Sequence, residues 1–147
     1  MYSGKLKFNR RNRPAPKGRG RSGAAAVEAA FCIPVVIALM FGTLETCSGI
    51  FLNESLKIVA YEGVRVGVRR GATPDTVQDR CEEILAARHV NGGTVTITPS
   101  DFGTLSALEP ITVTVEAPYS GNSNFTFSIF TGRNSSASVA MMREFDD

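Results

Sequence analysis

The sequence predicts an α+β fold. It has a long N-terminal helix that starts as a transmembrane segment and continues as a stalk, one further helix, and a small antiparallel sheet of three to four strands. Three observations carry this. An apolar run fills residues 24–44, a sharp helix-start signal stands at Thr73-Pro74-Asp75, and from Thr94 onward the hydrophobic period becomes two.

The first 23 residues stand apart from these elements. The 147-residue chain has 16 basic and 14 acidic side chains. Eight of the bases (Lys5, Lys7, Arg10, Arg11, Arg13, Lys17, Arg19 and Arg21) and none of the acids fall in residues 1–23. That leaves eight bases against 14 acids in residues 24–147, a net of −6. The leader is rich in Arg, Lys, Gly and Pro and lacks apolar periodicity, so it has too little apolar surface to fold alone. Nucleic-acid binding is not needed to explain its charge, because the apolar run beside it supplies another reason.

Residues 24–44 read AAAVEAAFCIPVVIALMFGTL and carry one formal charge, Glu28. A helix of about 20 residues at 1.5 Å rise spans the roughly 30 Å hydrocarbon core of a bilayer. A chain this short would struggle to wrap such a helix on every side. The basic cluster before it predicts a cytoplasmic N-terminus and an exported C-terminal part. The expected location is therefore the inner (cytoplasmic) membrane in a single pass, with a periplasmic or extracellular domain. The run is longer than a secretory h-region and no A-x-A site comes after it. Leu44-Glu45-Thr46 before Cys47 does not fit a lipoprotein site, and Arg10-Arg11 lies too far from the run for a twin-arginine signal.

Gly23, four small or apolar residues and then Glu28, set between a basic leader and an apolar span, form the pattern of a prepilin cleavage site. The expected cut is between Gly23 and Ala24, before the span. Glu28 has two readings. It is an interfacial glutamate, about 6 Å into the span at 1.5 Å per residue, or a carboxylate that pairs with the new amino terminus at Ala24. Glu45, near the far end of the span, is expected to reach interfacial water. Glu28 and Glu45 are the candidate membrane-charge or assembly residues.

Beyond the span, Leu56, Val59, Gly63 and Val66 recur at helical spacing. The helix is expected to run to about residue 70, with Gly71 as its C-cap. Gly63 and Gly67 form a Gly-x-x-x-Gly pair that lets another backbone approach closely. Either the chain's own sheet or a neighbouring helix would fill that place. Pro34 removes one backbone donor inside the span. The expected layout is a leader at 1–23, a transmembrane segment at 24–52, a helical stalk at 53–72 and an exported α+β domain at 73–147.

In the second helix Thr73 is the N-cap, Pro74 sits in the first turn and Asp75 favours the dipole. Val77, Cys81, Ile84 and Leu85 come next at a period near 3.6, and Asn91-Gly92-Gly93 is expected to end it. Strands are predicted at 94–98, 111–115 and 136–141, with a weaker alternation at 125–129. Pro99, Pro110 and Pro118 bound them. Threonines and serines on alternate positions predict a sheet with one buried face. A domain of about 80 residues is marginal, so the stalk helix is expected to complete its core.

The residues 20–72 resemble the TadE-like family of the tight-adherence pilus system. The resemblance rests on Val27-Glu28, on Pro34 in the apolar run and on Phe41-Gly42-Thr43-Leu44-Glu45. It also rests on Ala60-Tyr61-Glu62-Gly63-Val64-Arg65-Val66-Gly67, and the end of the chain, from Ser138, is similar to the family's closing strand. Pilins of this system often place an aromatic residue after the glutamate, where this chain has Ala29. The resemblance implies a pilin-like fold and a pseudopilin-like accessory or minor subunit of a type IV-related pilus or secretion apparatus. It implies packing rather than catalysis, with other pilus subunits, a prepilin-type peptidase and membrane lipid as partners. The alternative is a single-pass membrane protein that displays a small extracytoplasmic binding domain.

No enzyme constellation, cofactor motif or small-molecule substrate site is legible, and neither nucleic acid nor metal is expected as a partner. His89 stands alone near a helix end, where a charge-favourable cap explains it. Asp75, Asp79, Glu82 and Glu83 read as a solvated helix face without calcium-loop spacing. Cys32 and Cys47, 15 residues apart on one helix, stand about 22 Å apart along its axis and cannot bridge. Cys81 reads as a small buried apolar residue, or as the site of an intermolecular disulfide.

Overall fold

A computed structural model describes residues 19–102, 108–123 and 132–143. Most of the basic leader and the weak alternation at 125–129 lie outside the described residues. The elements run α1 (Arg19–Gly67), α2 (Pro74–Ala87), β1 (Thr94–Thr98), β2 (Pro110–Pro118) and β3 (Asn134–Met142). The fold is α+β, with one long helix, one short helix and a three-stranded antiparallel sheet. Its contacts divide the chain into two units, Met1–Ala38 and Leu39–Asp147.

In the first unit the described chain is helical from Arg19, and the helix continues through Pro34 without interruption. Residues 23–38 are all exposed, among them Val27, Phe31, Ile33, Val35, Val36 and Ile37. Glu28 is the one charged residue in this otherwise apolar stretch.

The second unit is built on the remainder of α1. Leu52, Leu56, Val59, Ala60 and Val64 supply one wall of the core. Val77, Cys81 and Leu85 come from α2, and Ile111, Val113, Val115 and Ala117 from the central strand β2. The stalk half of the helix completes the core of the small domain, as expected for a domain of marginal size.

The sheet order is β1-β2-β3. Val115 pairs with Val95 on one side and Ala137 on the other, and Val113 with Ile97 and Val139. These residues share the core face, as period-two alternation requires. On the opposite face Thr114 and Ser138 share a hydrogen bond of 2.9 Å, the cross-strand hydroxyl pairing that suits a polar sheet face.

Two helix ends differ from expectation. α1 stops at Gly67, and the chain turns through Val68–Ala72 with bonds from Arg69 N to Val66 O and from Ala72 N to Arg69 O. Gly71, at φ +74°, serves that turn rather than capping the helix. α2 ends at Ala87, before Asn91-Gly92-Gly93. His89 takes the left-handed conformation at φ 55°, and Val90 N bonds back to Leu85 O. A left-handed residue just past the helix releases the chain toward β1, so His89 acts through its backbone. The α2 start is as expected. Thr73 Oγ1 accepts from Thr76 N, and Thr73 N donates to Thr76 Oγ1, a reciprocal box with threonine in the acid's usual place.

Candidate functional site on the long helix

The candidate site residues fall in two places along α1. Gly23, Ala24 and Glu28 lie in the first unit. Gly23 has open space around it, and Glu28 is exposed. Because α1 begins at Arg19, the Gly23-Ala24 bond lies within helical backbone. Glycine costs a helix about 1 kcal/mol relative to alanine, so Gly23 makes this turn of α1 less stable.

Glu45 overturns its expectation. It is only 4% exposed and lies on the core side of α1, not at an interface with water. Ser123 Oγ donates to its Oε2 at 3.5 Å from the turn after β2. A buried carboxylate needs such donors. Sequence reading missed this because the partner lies 78 positions away and the helix pattern alone gives no direction to the side chain.

The same turn touches α1 and bonds to the α2–β1 turn. Tyr119 lies against Gly49, where a Cβ would stand 3.2 Å from Cε1. Asn122 Nδ2 donates to Asn91 O and to Pro118 O, while Asn122 Oδ1 accepts from Asn91 N. Asn91 Nδ2 donates in turn to Gly121 O at 2.9 Å. Asn53 Nδ2 donates to Ser135 Oγ on β3. Thr46, Gly49, Ile50, Asn53, Glu54 and Tyr119 line a groove of about 340 Å³ beside this junction.

Gly63 and Gly67 face the chain's own domain. A Cβ on Gly63 would overlap Cys81 Sγ and press on Val113, and one on Gly67 would crowd Val77 and Ile111 at 3.3–3.4 Å. The two glycines thus let α1 lie closely on α2 and the sheet. Cys81 is fully buried, and its Sγ approaches Val59 O at 3.8 Å. Burial, and secondarily the charge of Glu82, pushes its thiol up to about 11. Such a thiol stays protonated and is a poor nucleophile. Cys32 and Cys47 are exposed.

The outward side of α1 in the second unit keeps large apolar residues in the open, including Leu44, Ile50, Phe51, Ile58 and Tyr61. Its charges form local pairs, Glu54 with Lys57 at 2.8 Å and Glu62 with Arg65 at 3.5 Å. Among the described residues no group of three or more His, Cys, Asp or Glu side chains is placed to hold a metal.

Among the described residues one helix, over Gly23–Gly67, is long and apolar enough to cross a membrane. The fold and this helix define a class: a small α+β domain built onto the far half of a long helix whose near half is apolar but for Glu28. Residues 23–65 match the family model for TadE-like protein, which is the family the sequence resembles. The match runs along α1 almost to its end and leaves α2 and the sheet outside it. No curated protein and no solved structure gives a significant match.

Proposed function

We propose that the protein is a membrane-anchored, pseudopilin-like accessory or minor subunit of a tight-adherence pilus or related secretion apparatus, and that it acts by packing. The observation that carries this reading is the division of labour along α1. Residues 23–38 are apolar but for Glu28 and wholly exposed, while from Leu52 the same helix turns one side into the core of a folded domain. The first part suits a bilayer and lipid contact. The second joins that segment to the domain, because Leu52, Leu56, Val59, Ala60 and Val64 of the same helix are part of the domain's core.

In this reading the basic leader stays cytoplasmic and the domain is exported. A prepilin-type peptidase cuts between Gly23 and Ala24, removing all eight leader charges. Glu28 then lies one helical turn from the new amine, in a low-dielectric setting where pairing of the two charges is strengthened. The partners are other pilus subunits.

Mass spectrometry of the chain purified from membranes of cells that hold the peptidase tests this. The expected mature protein begins at Ala24, and Gly23→Val leaves the precursor uncut and unassembled. Glu28→Ala is expected to be cut and to fail mainly in association with other subunits. A mature chain still beginning near Met1 would remove the pseudopilin reading and favour a protein that displays its domain for binding.

A further inference from the structure

From the outward side of α1 we infer a pairing surface for a second copy of this chain. Leu44, Phe51 and Ile58 stand seven residues apart, and Cys47, Glu54 and Tyr61 interleave with them at the same interval. These are the a and d positions of a heptad repeat, and the side chains form one stripe along the helix. The stripe is exposed through its whole length, from 38% at Ile58 to 62% at Phe51. The residues on the other side of the helix, among them Leu52, Leu56 and Val59, are spent on the chain's own core. The apolar stripe is therefore not a by-product of the domain's packing. In the sequence the same spacing extends upstream through Met40, Ile37 and Ile33.

Charge complementarity points to a parallel copy as the occupant. Lys57 falls at g and Glu62 at the next e, five residues on. In a parallel two-stranded coiled coil, g of one helix faces that e of the other. Lys57 of each chain thus meets Glu62 of its partner, twice by symmetry. In the single chain Lys57 pairs with Glu54 at 2.8 Å and Glu62 with Arg65 at 3.5 Å, and exposed pairs of this kind are weak enough for Lys57 to be shared between Glu54, the polar residue within the stripe, and the facing Glu62. One such polar position fixes register at some cost in stability.

The size of the stripe sets where pairing occurs. Its five or six side chains expose on the order of 400–500 Å² of apolar surface, the scale at which a patch marks an interaction site. Two such faces fall below the area of a stable interface between free proteins, about 1,200 Å² in total. Pairing therefore needs chains held side by side at the same depth, which raises their effective concentration. In this respect the inference rests on the membrane-anchored reading above.

Cysteine cross-linking in native membranes tests it. Cells express the full chain with Cys32→Ser, and copper phenanthroline in air oxidises accessible thiol pairs. The expected product is a dimer of twice the chain mass through Cys47. With Cys47 also replaced by serine, Tyr61→Cys restores the dimer, and Thr46→Cys, one residue from position 47 but off the stripe, gives at least fivefold less than Cys47 itself. Lys57→Glu lowers the Cys47 dimer about fivefold, and Lys57→Glu with Glu62→Lys recovers it. Equal cross-linking at positions 46 and 47, a product of any other mass alone, or no product at any position overturns the pairing. Carbonate extraction of the same membranes separates the two ideas. A chain that stays in the membrane without the stripe pattern loses the pairing and keeps the anchor, and a chain found in the soluble fraction loses both.

Discussion

Gly63 on α1 and Cys81 on α2 lie so close that the glycine has no room for a Cβ without displacing the buried sulfur. The contact sets how near the long helix comes to the rest of its domain.

Gly63→Ala is accordingly expected to destabilise the domain by about 1–3 kcal/mol, the cost of overpacking, despite alanine's better helix propensity. Cys81→Ala added to Gly63→Ala vacates the sulfur and should recover at least about 1 kcal/mol. Urea unfolding monitored by circular dichroism in detergent measures both, and simple additivity of the two substitutions would show that the contact does not limit the packing.

The central strand offers a register test. Val113 is fully buried between Ile97 and Val139, while its neighbour Thr112 points to the opposite face. Val113→Asp buries an unpaired charge, at several kcal/mol, comparable with the total stability of so small a domain. It should unfold, and Thr112→Asp should cost about 1 kcal/mol or less. Proteolysis of the two variants side by side distinguishes them, and equal sensitivity would contradict the register.

Cys81 makes stability depend on alkaline pH. Its thiol holds its proton up to about 11 in the folded chain, against an ordinary value of 9.0. Between these values the unfolded chain releases a proton that the folded chain keeps. Stability therefore falls as pH rises from about 9 to about 11, by an amount of order 1–2 kcal/mol. Unfolding curves across that range should flatten in Cys81→Ala. At pH 8, exposed Cys47 should be alkylated within minutes while Cys81 is spared until the domain unfolds.

The Asn91–Asn122 exchange joins the α2–β1 turn to the turn after β2. Asn122→Ala leaves Asn91 N and Asn91 O without these partners, at a cost of about 1–3 kcal/mol. Hydrogen exchange at the Asn91 amide should quicken at least tenfold, while the β2 amides near Val113 change much less.

Much of this protein was legible in its sequence because the signals are local. An apolar run long enough to cross a bilayer, a Thr-Pro-Asp start for α2 and alternating Val/Ile with Thr/Ser in three strands depend on neighbours a few positions apart. The family resemblance was legible for the same reason, since its motifs lie on α1 and the matched segment ends at residue 65. What tertiary structure alone decided depends on distant partners. The stop at Gly67 and the left-handed His89 answer to where α2 and β1 must begin. Glu45 is buried rather than wet, and one of its partners is a serine 78 residues later. Gly63 and Gly67 face α2 and the sheet because the small domain needs the helix to close its core. Helical spacing can mark two faces of α1, but only packing of the rest of the chain determines which one is used up and which stays open.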